Sequence, residues 1–230
     1  MKNEIVRFEK VTKIYFPKNK SQENTVALKD VSFFVREGEF VLLTGKSGSG
    51  KTTTFKLILG EEKPNSGKIF LKGKELNLLS FKDFSNLRRK IGVIFQDFKL
   101  LEEKTVIENL IFVLEFLGWE EDLIKKDSLE VLEIVGLKEK LNYYPEELSA
   151  GERQKLAIAR ALVLRPELIL ADEPTASLDK EGKWEILYLL EKINEMGTGV
   201  ILATHDEDVA INMKKRKIVL DRGEIIKEEK

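Results

Sequence analysis

The run Phe40-Val-Leu-Leu-Thr44, followed at once by Gly45-Lys-Ser-Gly-Ser-Gly-Lys51-Thr52, joins an apolar segment to a glycine-rich turn and then to helix-forming residues. Four consecutive apolar side chains bounded by a glycine turn fit a strand buried on both faces. Thr52–Leu59 has helical composition, and the stretch from Gly60 to Gly67, with Pro64, ends it. The turn between them has the spacing GxxxxGK[ST], which in a strand–turn–helix context wraps backbone N–H groups around phosphate oxygens. The glycines let the backbone approach closely, and the helix start adds partial positive charge. Gly45, Lys46, Ser47, Gly48, Ser49 and Gly50, continued by Lys51, Thr52 and Thr53, are therefore the candidate phosphate-binding set. Lys51 is expected to reach the β- and γ-phosphates of a nucleotide, and the Thr52 hydroxyl to ligate Mg²⁺. The competing reading is a plain glycine-rich turn.

Towards the N-terminus, Val31, Phe33 and Val35 alternate with Ser32, Phe34 and Arg36, the period of a half-buried strand. Glu4–Phe8 is its expected partner, across a polar loop at Lys18–Asn24. In the other direction, Ile69 and Leu71 mark an edge-like strand, and Ile91–Phe95, Leu168–Ala171 and Val200–Ala203 are further apolar strands. From Thr105 to about Leu141 the apolar period becomes helical, through Val106, Leu110, Val113, Leu114 and Leu117, then Leu129, Leu132, Ile134 and Val135. Arg153–Leu164 reads as a helix closed by Arg165-Pro166, and Lys217–Lys227 as a hairpin turning at Asp221-Arg222-Gly223. Strands alternating with helices make a mainly parallel α/β sheet the economical architecture, with a helical subdomain inserted into it. Ligands on such sheets sit beyond the carboxyl ends of the strands.

Composition narrows the function. Among 230 residues, 39 are basic and 40 acidic, a net charge of −1, which gives no electrostatic reason to expect nucleic acid or an anionic bilayer as the main partner. The runs Lys214–Lys217 and Lys227–Lys230 read as solvated faces. With no cysteine, disulfides, thiolate metal sites and cysteine nucleophiles are excluded. No stretch approaches the roughly 18 apolar residues of a membrane span, and MKNEIVRFEK lacks the apolar core of a signal peptide. A cytoplasmic chain is expected, with any membrane role exerted through a partner.

Three more segments end strands or start helices with reactive groups. Leu168-Ile-Leu-Ala-Asp172-Glu173 places two adjacent carboxylates at the end of an apolar strand, which is poor packing unless a cation or water offsets the charge. Asp172 suits a residue holding Mg²⁺ through its water shell, and Glu173 a base that polarises an attacking water; a solvated strand end is the alternative. His205, the only histidine, follows Val200-Ile-Leu-Ala-Thr204 at a comparable strand end. A lone histidine is commonly structural, but beside this crevice it could donate to a γ-phosphate. Finally Leu148-Ser-Ala-Gly-Glu152 precedes a helix, where serine and glycine could simply be an N-cap.

In the order GKSGSGKT, LSAGERQ, LILADEP, TASLD and ATHD, these motifs resemble those of the ABC transporter ATPases, over about Ile5 to Lys227. The resemblance implies an α/β P-loop NTPase fold of the ABC nucleotide-binding type. Its mainly parallel core sheet would be joined by an N-terminal antiparallel β subdomain and an inserted α-helical subdomain. One domain is then expected over 1–230, with the core and β subdomain from 1–95 and 165–230 and the helical subdomain at about 97–164. Further roles are implied by the likeness alone. Tyr15 matches the aromatic that stacks on adenine, with Phe16 as a rival, and Gln96 the glutamine that senses Mg²⁺ and the attacking water. Ser177, Leu178 and Asp179 match a loop that communicates across a dimer. Two ATP molecules would lie between head-to-tail copies, so that Ser149, Ala150, Gly151 and Glu152 act on the partner's nucleotide. Here Ala150 stands in place of a glycine and Glu152 in place of the usual glutamine; the alanine is tolerable only if that position needs no positive φ, and the glutamate would bring negative charge near the nucleotide.

Within the family, the stretch Ile91-Gly-Val-Ile-Phe-Gln-Asp-Phe-Lys-Leu-Leu-Glu-Glu-Lys-Thr-Val-Ile-Glu-Asn-Leu resembles the cell-division branch, FtsE. That implies an integral membrane partner resembling FtsX and a peripheral position on the inner face of the cell membrane. Lipoprotein-release and macrolide-type export ATPases are the alternative. A DNA-repair ATPase fits badly, because the interval between phosphate loop and signature carries no sustained heptads. Phe98, Leu100 and Leu101 are expected to be exposed contacts for the membrane partner.

Overall fold

The computed structural model describes residues 3–17 and 23–229. In chain order the elements are β1 (Glu4–Tyr15), β2 (Thr25–Arg36), β3 (Phe40–Thr44), α1 (Lys51–Ile58), β4 (Ser66–Leu71), β5 (Lys74–Glu75), α2 (Phe81–Arg88) and β6 (Ile91–Ile94). There follow α3 (Val106–Phe116), α4 (Glu121–Ile134), α5 (Ala150–Leu162), β7 (Leu168–Asp172), α6 (Lys180–Glu195), β8 (Gly199–Thr204), α7 (Glu207–Asn212), β9 (Arg216–Asp221) and β10 (Glu224–Glu229). Two sheets result: an antiparallel one ordered β2-β1-β4-β5, and a six-stranded one ordered β10-β9-β3-β8-β7-β6. In the second, β6, β7, β8, β3 and β9 are parallel and only β10 runs against its neighbour.

The continuous apolar runs of the central strands are explained by what covers them. Phe40 and Leu42 of β3 pack into a core shared with α3 to α6, whereas Val41 and Leu43 face a second core with α1 and the antiparallel sheet. A strand buried on both faces needs no polar alternation. β1 and β2, covered on one face, do alternate, and Phe8 stacks on its register partner Phe33 with ring centroids 4.6 Å apart.

Several boundaries differ from expectation. The helix after the phosphate loop begins at Lys51, and α5 begins at Ala150 because Ser149 caps it. α5 ends at Leu162, before Arg165, whose φ of +49° and position ahead of Pro166 prevent a further turn. β4 is not at the sheet edge, although the two-residue β5 leaves most of its outer side unpaired. Most of the expected polar loop at Lys18–Asn24 lies outside the described residues. Phe98, Leu100 and Leu101 are half-buried rather than exposed: Leu100 packs on the helical core, and Leu101 is tied through its N–H and carbonyl to the Asn109 amide. The exposed apolar residues of this region are Phe112, Phe116 and Leu123. Among the described residues, no helix is long and apolar enough to cross a membrane.

Candidate functional site

Parallel register brings four loops to one edge of the sheet. Thr44 lies beside Thr204, Asp172 beside Ala203, and Ile94 beside Ala171. The residues just beyond these pairs are the phosphate loop, His205, Glu173 and Gln96. Gln96 is exposed two residues past Ile94, abreast of Glu173 two past Ala171.

The loop takes its shape from left-handed backbone that only glycine adopts easily. Gly45, Gly48 and Gly50 have φ of +149°, +77° and +112°. A Cβ on Gly45 would stand 2.2 Å from the Leu220 carbonyl oxygen, and one on Gly50 2.6 Å from that of Ala27. Gly50 caps α1 without a side chain, so the first-turn N–H groups of Lys51, Thr52 and Thr53 point outward with no intrahelical acceptor. Lys46 and Ser47 line the open side of the turn, while Ser49 is buried with its hydroxyl unpartnered. The contact of Gly50 with β2 also fixes the outer end of the hairpin: Ala27 and Leu28 touch the loop, and Tyr15 pairs with Thr25 two residues away. Tyr15 is half-buried with the Lys13 ammonium 4.9 Å from its ring, and Phe16 beside it is exposed.

Lys51 is 6% exposed. Its ammonium donates to the carbonyls of Gly45 (2.7 Å) and Lys46 (3.2 Å) and lies 3.5 Å from Glu173 Oε1. The same Glu173 oxygen is 2.8 Å from His205 Nδ1. Glu173 has φ +49°, a strained conformation for a glutamate, held by its N–H donating to the Ala203 carbonyl at 3.0 Å. Thr52 Oγ1 donates to Asp172 Oδ2 at 2.9 Å, and the other oxygen, Oδ1, is buried without a partner. Burial pushes the Asp172 carboxyl above the ordinary range, aided by the neighbouring Glu173 charge and opposed by the Thr52 hydrogen bond. A hard hydroxyl oxygen against a carboxylate with one unsatisfied oxygen fits Mg²⁺, which prefers few protein oxygens and retained waters.

Other sequence candidates lie apart from this cluster within the chain. Ser149 is exposed and its hydroxyl accepts from Glu152 N–H, while the Glu152 carboxylate accepts from Ser149 N–H at 2.9 Å. Lys140 sits 2.6 Å from that carboxylate and, with the Ser149 N–H, lowers its pKa. The Glu152 charge is thus turned back on its own helix start, a role the spacing S-x-x-E could have signalled. Ala150 is the first helical residue and has no positive φ, so no glycine is needed there. A Cβ on Gly151 would meet nothing within 4 Å. Ser177 is exposed, Leu178 packs on the helical core, and Asp179 caps α6 by accepting from Gly182 N–H at 2.9 Å. Two residues passed over in the sequence also belong beside the cluster: Lys183 and Asp206 help line a cavity of about 400 Å³ with Glu173 and His205.

The family model for ABC transporters matches residues 28–176, and the cell division ATP-binding protein FtsE of Bacillus subtilis (strain 168) is 46% identical over 88% of this chain and 89% of its own length. The chain belongs to the ABC transporter family. A second ABC relative, the methionine import ATP-binding protein MetN of Carboxydothermus hydrogenoformans, is 41% identical over 88% of this chain but only 60% of its own length. Among solved ABC structures, the ATP-binding cassette MJ0796, a dimer in a post-hydrolysis state bound to ADP and Pi, superposes with a TM-score of 0.86. It is 38% identical, covering 98% of both chains.

Proposed function

We propose that this chain is the ATP-hydrolysing subunit of a membrane complex acting in cell division, with Glu173 as the base that takes a proton from the attacking water. The observation that carries this reading is one carboxylate held between Lys51 at 3.5 Å and His205 at 2.8 Å, beside a phosphate loop. A triphosphate in the loop offers Lys51 stronger acceptors than carbonyl oxygens, which leaves Glu173 free to accept the water's proton. His205 has Nδ1 2.8 Å from Glu173 Oε1; with both ring nitrogens protonated it would pair with Glu173 through Nδ1 and donate from Nε2 to the γ-phosphate. Thr52, Asp172 and Gln96 would hold Mg²⁺, which when bound neutralises charge on the β- and γ-phosphate oxygens. Tyr15 provides a stacking face for adenine. The open Gly151 and the exposed Ser149 at the start of α5 suit contact with a nucleotide on a second copy, giving an ATP-sandwiched homodimer.

The cell-division assignment rests on the match to FtsE over 88% of this chain and 89% of that protein; an FtsX-like integral membrane protein is then the partner, with this chain peripheral to the inner face of the membrane. Export and import ATPases of the same family are the second reading. The exposed Phe112, Phe116 and Leu123 offer an apolar face for the partner. The test is a Mg-ATPase assay of Glu173→Gln, which should lose about 10²–10⁴-fold in turnover while retaining ATP binding. Light scattering should find that variant dimeric only with ATP. Full turnover in Glu173→Gln would overturn the assignment of the base, and co-purification with a transport permease instead of an FtsX-like protein would overturn the division role.

A further inference from the structure

His205 carries a side chain that is 57% exposed, with Nδ1 2.8 Å from Glu173 Oε1 and its backbone N–H donating to Glu173 Oε2 at 3.4 Å. On one side, Thr204 is 1% exposed and its hydroxyl accepts from the Asp206 N–H at 3.0 Å. On the other, Asp206 caps α7, with Oδ1 accepting from the N–H groups of Asp208 (2.9 Å) and Val209 (3.3 Å). The remaining oxygen, Oδ2, accepts from Lys183 Nζ at 2.9 Å, and the same ammonium reaches Asp208 Oδ2 at 3.2 Å. Lys183 stands in the first turn of α6, where its own N–H donates to the carbonyl of Asp179 at 2.9 Å. Its side chain is 14% exposed, so the ion pair is shielded from solvent on the lysine side.

From this geometry we infer that Lys183 is a positioning residue: it ties the Ser177–Asp179 loop to the loop carrying His205, and so sets the His205 imidazole against Glu173. This rests on the ATPase reading above. Movement at Asp179, the helix cap, is transmitted through one side chain to Asp206 and from there to the adjacent histidine. A long aliphatic stem ending in a single charge suits this, because it spans from α6 to α7 while its pairing fixes one geometry. A purely structural staple between two helices would affect stability but leave the imidazole where it is.

Lys183→Met keeps the stem and removes the charge. Turnover is expected to fall about tenfold with KM for ATP within about twofold, since misplacing a catalytic group by a fraction of an ångström lowers kcat without touching substrate binding. Lys183→Arg should restore turnover to within about twofold. Because the tag-free protein contains one histidine, its imidazole ¹⁵N resonances are unambiguous. They should shift in Lys183→Met towards those of a freely solvated ring and remain in place in Lys183→Arg. Asp206→Asn, which keeps the capping carbonyl and loses the charge, should reproduce the Met spectrum and serves if Lys183→Met does not fold. A parent-like His205 spectrum in the folded charge-removing variants overturns the inference, as does a loss in KM alone. If the parent protein neither bound nor hydrolysed ATP, the ATPase reading would fall, while the imidazole spectra would still decide the coupling.

Discussion

Asp172 combines a carboxylate, partial burial and one oxygen without a partner, and this combination opposes folding in the absence of a cation. Its pKa is raised in the folded state, mainly by burial, so between the ordinary carboxylate value and the raised one the native state holds a proton that the unfolded chain has lost. Stability therefore falls as pH rises through that window, and the deficit persists at neutral pH. Asp172→Asn removes the charge while its carbonyl can still accept from Thr52. Without nucleotide, the variant is expected to melt higher than the parent at pH 7, with the difference closing towards pH 3.5. Its Mg-ATPase activity should fall by at least about 10²-fold, the usual effect of deleting one group that stabilises transition-state charge. Melting curves at the two pH values, with turnover at pH 7, check both halves; a less stable and active Asn variant would contradict them.

At the scale of elements, the two helix starts proposed to contact nucleotide are built differently. α1 begins on Gly50 with no side-chain cap, leaving its N–H groups for an anion, whereas α5 ties the N–H groups of Ser149 and Glu152 into a capping box. Gly50→Ala should destabilise the fold by about 1–3 kcal/mol, because φ +112° is strained for alanine and its Cβ would meet Ala27 and Leu28. For Glu152, the folded pKa is lowered by the Lys140 pair and the Ser149 N–H, so its contribution is fully present above the unfolded value and is lost as pH falls through the folded one. Glu152→Gln keeps a capping acceptor and loses the ion pair, so urea unfolding should show a loss of about 0.5 kcal/mol at pH 7 that vanishes in acid. The phosphate loop, the strand-end carboxylates and the switch from strand to helical period were legible because each is a local pattern. α2 was not: it is only eight residues long with three apolar side chains, none of them fully buried, too short a pattern to stand out. Lys183 was equally hidden, since its partner lies 23 positions away and a lysine on a helix ordinarily reads as solvated. Leu101 is tied through its backbone to the Asn109 amide, and Phe98 lies 5.7 Å from the Arg153 guanidinium, contacts that no local period encodes.

For the whole molecule, the decisive property is that each nucleotide would be completed by a second copy. Gly151 allows a test, because the space where its Cβ would stand is open in the single chain. Gly151→Asp should leave the monomer as stable as the parent or slightly better, since it replaces a glycine in a helix and puts negative charge in the first turn. The same carboxylate would oppose a triphosphate presented by a partner. In a Glu173→Gln background, then, Gly151→Asp is expected to bind ATP as a monomer and fail to dimerise. Lys51→Ala should also fail to dimerise, for the different reason that its own loop no longer holds the nucleotide. Mixing the two failing proteins distinguishes a shared site from any other arrangement. In a head-to-tail pair, the intact loop of the Gly151→Asp chain faces the intact helix start of the Lys51→Ala chain, while both defects gather in the second site. The mixture should recover ATP-dependent dimers, fewer than the background protein forms, with one nucleotide per dimer by filter binding and light scattering. If each site were built within a single chain, mixing would recover nothing.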